Sequence, residues 1–203
     1  MGEKVFMQGN RALAEAAIRA GCNSFFGYPI TPSSEIAEYF ASQQPERGIT
    51  YIQAETEISA FNMVAGAAAT GVRAMTATSG PGFSLGCEAM SFMSAGNIPG
   101  VIVYIQRAGP ADGEITAAQG DYFQVTKGGG HGDYRTLVLA PYSVQESALL
   151  VQEAFELAEK YRNPVVILSD AMIAKMMETV ELPGEKTPPR GFPWAITGAN
   201  PVP

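Results

Sequence analysis

The stretch with the most chemical content begins at Gln53-Ala-Glu-Thr-Glu57, continues through Gly66-Ala-Ala-Ala-Thr-Gly71 and closes at Thr78-Ser-Gly-Pro-Gly82. It places an acidic residue at the start of an apolar, glycine-bearing helix, with a strand and a glycine-proline turn directly after. A carboxylate that enters apolar surroundings loses hydration, which favours sharing a proton near neutral pH. Glu57 is the candidate. Glu55 lies two residues away and would point to another face of the same helix. The plainer reading is that both carboxylates favour a helix N-terminus electrostatically. Ser79-Gly-Pro-Gly82 can set backbone N–H groups at a helix start, a geometry that suits anions, or it can be an ordinary strand-to-helix turn.

Two further segments present polar groups where strands end. Tyr28-Pro-Ile-Thr-Pro32 follows an apolar run, and ligands of α/β sheets bind at the C-terminal ends of strands. Its prolines restrict the backbone around Thr31 and can present that hydroxyl. Gln106-Arg-Ala-Gly-Pro110 ends the most β-branched run. Arg107 there can grip a carboxylate with two parallel hydrogen bonds, or form a surface ion pair. His131, the sole histidine, stands between glycines and reads as a loop hydrogen-bonder, with acid–base chemistry the lesser alternative. Cys22 and Cys87 form no C-x-x-C pair, so no metal site is expected and both read as small buried residues.

The elements that must position these groups alternate. Strands are predicted at 23–28, 48–53, 72–78, 98–106, 136–139 and 164–168, after a short apolar start at 5–7. Helices are predicted at 11–20, from Ser33 or Ser34 to about Ser42, and at 56–69, 82–95 and 144–161. Asn10 is the expected N-cap of the first helix and Gly21 its C-cap. Residues 107–132 form a long glycine-rich connection with one helical segment near 119–125, long enough to carry function. The methionines at 172–177 are expected in a core or an interface. This order predicts an α/β fold: a three-layer, doubly wound, mostly parallel sheet with helices on both faces. One domain is expected over 1–182. A proline-rich strap or linker follows over 183–203, with Trp194 as its anchor.

The 203 residues carry a formal charge of −7 and are 46% hydrophobic. That length supports a sizeable core, and the acidic balance disfavours nucleic acid. No run is long and apolar enough to span a membrane. The first residues lack a signal peptide's apolar segment, and the cysteine usage fits a reducing cytoplasm.

The spacing of Glu57, Gly66 and Ser79-Gly-Pro-Gly82 resembles the pyrimidine-binding domain of thiamine diphosphate enzymes. With Tyr28-Pro-Ile-Thr-Pro32 and Gln106-Arg107, the chain resembles the 2-oxoacid:ferredoxin oxidoreductases. Gln119–Gln124, Lys127–Arg135, Leu139–Pro141, Val144–Glu146, Lys160–Pro164 and Pro193–Thr197 are similar to the α subunit of the 2-ketoisovalerate branch. The resemblance covers essentially the whole chain, and that subunit is longer. Ala111-Asp-Gly-Glu-Ile115 departs from the Ser-Thr-Gly of 2-oxoglutarate-type relatives.

By this resemblance Glu57 holds the aminopyrimidine of thiamine diphosphate and activates it. Tyr28, Pro29, Ser79 and Gly80 line the cofactor, and Thr31 and Arg107 meet the 2-oxoacid carboxylate. The implied reaction converts 2-oxoisovalerate, CoA and oxidised ferredoxin to acyl-CoA, CO2 and reduced ferredoxin. No Gly-Asp-Gly with a downstream Asn occurs, so the diphosphate site and Mg²⁺ are expected on a β subunit. Iron–sulfur clusters are expected on partners, which include γ and ferredoxin-like δ subunits. The alternatives are the same chemistry on 2-oxoglutarate or pyruvate, and a non-catalytic assembly module.

Overall fold

The computed structural model describes residues 3–187 and 191–198. In chain order the elements are β1 (Glu3–Gln8), α1 (Gly9–Arg19), β2 (Ser24–Gly27), α2 (Ser34–Arg47), β3 (Thr50–Gln53), α3 (Glu57–Ala69), β4 (Ala74–Thr78) and α4 (Gly80–Ala95). There follow β5 (Gly100–Gln106), α5 (Tyr122–Thr126), β6 (Leu137–Leu139), α6 (Val144–Tyr161), β7 (Pro164–Asp170), α7 (Ala171–Lys175) and β8 (Met177–Leu182).

Six strands form one sheet in the order β3-β2-β4-β5-β7-β6, parallel throughout. Strands β4, β5 and β7 are buried along their whole length, as expected of a parallel sheet covered on both faces. Alternate residues feed two cores. Val101, Val103 and Ile105 face α1, α2 and α6, whereas Ile102 and Tyr104 face α3, α4 and α5. The three-layer, doubly wound architecture read from the sequence is the one observed.

The second core fixes the helix starts that matter for chemistry. Tyr104 is fully buried and stacks on Phe83 of α4 at 4.5 Å, and Phe61 of α3 meets Phe83 edge-on at 6.3 Å. Gly86 permits this approach, because a Cβ there would stand 2.5 Å from the Phe61 ring.

Several local readings are corrected. α1 begins at Gly9, so Asn10 lies inside the helix rather than capping it. Its amide donates instead to the Pro32 carbonyl at 2.7 Å and to Glu35 at 2.8 Å, tying α1 to α2. α2 continues through Pro45 to Arg47 and stops at Gly48, where φ is +63°. The region after β7 holds α7 and β8, and β8 pairs antiparallel with β1 in a separate two-stranded sheet. Met172, Met176 and Met177 are exposed on this chain, which excludes the core and leaves the interface of the two places expected for them. Of the tail, Ile196 donates to the Ala69 carbonyl, and Trp194 stacks on Phe192 with the Arg162 guanidinium over its ring. These contacts lie at the N-terminal end of the sheet. The proline pair at 188–189 and the last residues of the strap fall outside the described residues.

Glu15 of α1 is 3% exposed and gathers Arg19, Arg47 and the Tyr39 hydroxyl at 2.6–3.0 Å. Burial pushes its carboxyl up, but the Arg47 and Arg19 guanidiniums and the Tyr39 hydroxyl outweigh that and hold it below the usual carboxylate value. A depressed folded-state value means that this stabilisation is complete above the ordinary carboxylate range and is lost as pH falls through the folded value. Glu15→Gln is expected to cost about 1–3 kcal/mol near neutral pH and to flatten the decline in stability below about pH 4.5, read by denaturant midpoints across pH.

Candidate functional site

The C-terminal ends of β2, β4 and β5 and the N-termini of α3 and α4 converge at one edge of the sheet. Glu57 is the first residue of α3. Thr56 caps the helix by accepting from the Ser59 N–H at 3.2 Å. Glu55 stays exposed and accepts from the Ser59 hydroxyl at 2.6 Å, and that bond holds its carboxyl below the ordinary value. Glu57 turns inward and is 6% exposed. The two carboxylates thus separate into a surface residue and a buried one.

Glu57 rests on the turn that begins α4. A Cβ on Gly82 would stand 2.5 Å from Glu57 Oε1 and 2.3 Å from Thr78 Oγ1. Only glycine leaves room for that carboxyl beside the Thr78 hydroxyl. Thr78 Oγ1 and Ser79 Oγ are both buried and have no partner among the described residues.

Arg107 lies on the same turn one step away. Its Nε sits over Gly80, 3.1 Å from where a Cβ would be, and is also buried without a partner. Nη1 donates to the Thr31 carbonyl at 2.8 Å and Nη2 to the Asp112 carbonyl at 2.5 Å. Among the described residues no carboxylate pairs with Arg107, so its charge is uncompensated. Among the described residues, three of the six unpartnered buried side-chain atoms therefore cluster on this turn. Each such atom costs about 1–3 kcal/mol, and a site built to receive a polar ligand explains their retention.

The structure brings together Glu57, Ser79, Gly80, Arg107 and Thr31. Thr31 offers Arg107 its carbonyl rather than its hydroxyl. Tyr28 and Pro29 are exposed beyond β2, and among the described residues no hydrogen bond joins them to Glu57 or Arg107. Sequence reasoning did not single out Thr78, Asp112 or the role of Gly82 as a seat. A hydroxyl at the inner end of an apolar strand was the signal for Thr78; the other two depend on backbone positions that no pattern reveals.

The loop after Arg107 folds into a small hairpin, with Glu114 donating to the Ala108 carbonyl and Ala108 to the Thr116 carbonyl. His131 is exposed in a separate loop, and its carbonyl accepts from Ser91 at 2.5 Å. Cys87 lies beneath that loop, where burial pushes its thiol up to about 11. Among the described residues no cluster of three or more His, Cys, Asp or Glu could hold a metal. No helix among them is long and apolar enough to cross a membrane.

Residues 15–192 match the family described as pyruvate flavodoxin/ferredoxin oxidoreductase, thiamine diphosphate-binding. The chain belongs to this family. It is 52% identical over 193 residues to the ketoisovalerate oxidoreductase subunit VorB of Methanothermobacter thermautotrophicus, covering 95% of this chain and 55% of that protein. It is 52% identical over 178 residues to the 2-oxoglutarate synthase subunit KorA of Methanocaldococcus jannaschii, covering 87% and 48%. A solved structure of 2-oxoglutarate:ferredoxin oxidoreductase from Magnetococcus marinus, with 2-oxoglutarate, coenzyme A and succinyl-CoA bound, superimposes with a TM-score of 0.85 at 38% identity. That match covers 90% of this chain and 32% of the other. The chain spans about half the length of the curated relatives it matches. Membership of a thiamine diphosphate-binding family agrees with the cofactor expected from Glu57 and its turn.

Proposed function

We propose that this chain is the pyrimidine-binding part of a thiamine diphosphate-dependent 2-oxoacid:ferredoxin oxidoreductase, acting on a branched-chain 2-oxoacid such as 2-oxoisovalerate. The observation that carries the reading is the buried Glu57 carboxyl seated on Gly82 beside two unpartnered hydroxyls, with the uncompensated Arg107 on the same turn. Thiamine diphosphate supplies the electron sink for decarboxylation when bound. Glu57 would hold a proton at the aminopyrimidine ring from its buried place at the start of α3. Ser79 and the α4 turn would line the ring together with Gly80, and Tyr28 and Pro29 would close the solvent side. Arg107 and Thr31 would orient the 2-oxoacid carboxylate, with Arg107 leaving its backbone carbonyl partners for the stronger charge-assisted pair.

The site is half of what the chemistry needs. A partner subunit would bring the diphosphate site and Mg²⁺, and others the iron–sulfur path to ferredoxin. The complex of the full-length subunit with its native partners is expected to contain thiamine diphosphate and to reduce a viologen dye with 2-oxoisovalerate and CoA. A complex lacking both the cofactor and the activity would overturn the reading. The equal identity to a 2-oxoglutarate synthase subunit supports a second substrate, and competition between 2-oxoisovalerate and 2-oxoglutarate decides between them.

Gly82→Ala tests the seat without replacing the carboxyl itself. The added methyl meets the Thr78 and Glu57 side chains, not backbone, so the fold should survive while the carboxyl moves. Activity of the complex is expected to fall on the order of 100-fold, because a displacement near 1 Å has that effect on a positioned group. An unaltered thermal midpoint alongside that loss would locate the effect in the site.

A further inference from the structure

The connection from β5 to α5 begins as a hairpin closed on itself. Ala108 donates to the Thr116 carbonyl at 3.0 Å, Glu114 to the Ala108 carbonyl at 2.7 Å and Gly113 to the Pro110 carbonyl at 3.0 Å. The return requires glycine: φ at Gly113 is +61°, and a Cβ there would stand 2.2 Å from the Ala108 carbonyl oxygen. Residues 109–117 are all exposed, Ile115 included, so no buried side chain pins the hairpin to the core. Its place rests on its two ends. At the first, Arg107 Nη2 donates to the Asp112 carbonyl, so the hairpin holds one arm of the guanidinium. At the second, Gln119 Nε2 donates to Asp170 Oδ2 at 2.7 Å, and the Asp121 N–H donates to Gln106 Oε1 at 3.1 Å. The Arg107 bond aside, Gln119 to Asp170 is the one hydrogen bond, among the described residues, that joins residues 108–120 to another part of the chain.

Asp170 is placed to anchor this loop and not only to cap a helix. It ends β7 in register with Gln106 at the end of β5, and it lines a cavity over the strand ends with Gln106 and Gln119. It is 7% exposed. Oδ1 alone accepts from the Met172 and Ile173 N–H groups of α7, at 2.8 and 3.1 Å. Capping therefore uses one oxygen, fixes the carboxylate and leaves Oδ2 for Gln119. An ionised carboxylate is a stronger acceptor than a neutral oxygen, which suits a bond that holds an exposed loop. We infer that Asp170 is a positioning residue for the 2-oxoacid: through Gln119 it fixes the hairpin, and the Asp112 carbonyl of the hairpin fixes the Arg107 guanidinium over Gly80. A guanidinium already in place loses less freedom when substrate binds. This rests on the proposed function, in which Arg107 meets the substrate carboxylate, and adds what sets the place of that group beforehand.

The test uses the native complex. Gln119 is exposed, so its replacement leaves the core intact. Gln119→Ala removes the tether, and Gln119→Glu sets a second carboxylate against Asp170. Each is expected to raise the KM for the 2-oxoacid about ten-fold, with kcat and the KM for CoA within about two-fold of the parent, as for one lost charge-assisted hydrogen bond. A general loss of folding would instead lower the active fraction, and with it kcat. Gln119→Glu combined with Asp170→Asn exchanges donor and acceptor. The new amide still caps α7 through its oxygen and donates to the new carboxylate, so the KM should return to within about three-fold of the parent. In an Arg107→Ala background Gln119→Ala should add less than about two-fold, because the tether acts through Arg107. An unchanged KM for the 2-oxoacid in both single variants, a rise confined to CoA, no recovery in the exchanged pair, or a full further rise on top of Arg107→Ala would overturn the inference while leaving the proposed function standing. A parent complex inert towards 2-oxoacids would overturn the proposed function, and this inference with it.

Discussion

Replacing Glu57 with glutamine is expected to lower kcat of the assembled complex by about 100- to 10,000-fold, the usual range for loss of a positioned proton-sharing group. The substitution keeps the side chain's shape, so the contact with Gly82 and the start of α3 survive. What disappears is the ability of the carboxyl to take up and give back a proton. The KM for the 2-oxoacid should change little, because Glu57 does not face Arg107 across any hydrogen bond in this structure. Steady-state kinetics of the purified complex separate the two constants. Glu55→Gln is the matching control. Glu55 is fully exposed and bonds only to its own helix start, so its removal should leave kcat unaltered. Equal losses in the two variants would assign the effect to the helix N-terminus rather than to a buried carboxyl.

The second large effect concerns Arg107. Removing it as Arg107→Ala is expected to raise the KM for the 2-oxoacid by about 30- to 150-fold, since a hydrogen-bonded charge contributes about 2–3 kcal/mol. Arg107→Lys should recover only part of this, because an ammonium keeps the charge but loses the planar fork. The side chain also holds the Thr31 and Asp112 carbonyls, so the alanine variant frees two loops as well. The lysine variant separates these contributions. A KM restored nearly to the parent value would mean that charge alone matters, whereas a value close to that of alanine would assign the effect to the fork and its loops. Glu57→Gln and Arg107→Ala should therefore differ in kind, one acting on kcat and the other on KM.

Much of the fold was legible because its signals are strong and local. β5 reads as Gly-Val-Ile-Val-Tyr-Ile-Gln and α6 as an amphipathic run closed by Arg162. Strict strand–helix alternation leaves few topologies open. β8 was not legible: Met177-Glu-Thr-Val-Glu-Leu alternates, but its partner β1 lies at the other end of the chain, and local pattern does not report distant pairing. The Asn10 cap failed for a related reason, because tertiary bonds to Pro32 and Glu35 held the side chain inside the helix. In the site, Glu57 and the α4 turn stood out by spacing, and Arg107 by its place at a strand end. The bond from Arg107 to the Thr31 carbonyl, the unpartnered Thr78 hydroxyl and the Gln106–Gln119–Asp170 cavity arise from packing between segments up to 76 residues apart. No local pattern encodes them.

The most direct test of the central claim, that Glu57 activates the cofactor, is deuterium exchange at the thiazolium C2 position of bound thiamine diphosphate. It is measured by quenched NMR on the parent complex and on Glu57→Gln, both loaded with cofactor and without substrate. The account predicts exchange slower by at least about 100-fold in the variant, with cofactor occupancy retained. Equal exchange rates in the two complexes would contradict it and would reduce Glu57 to a structural residue of the turn.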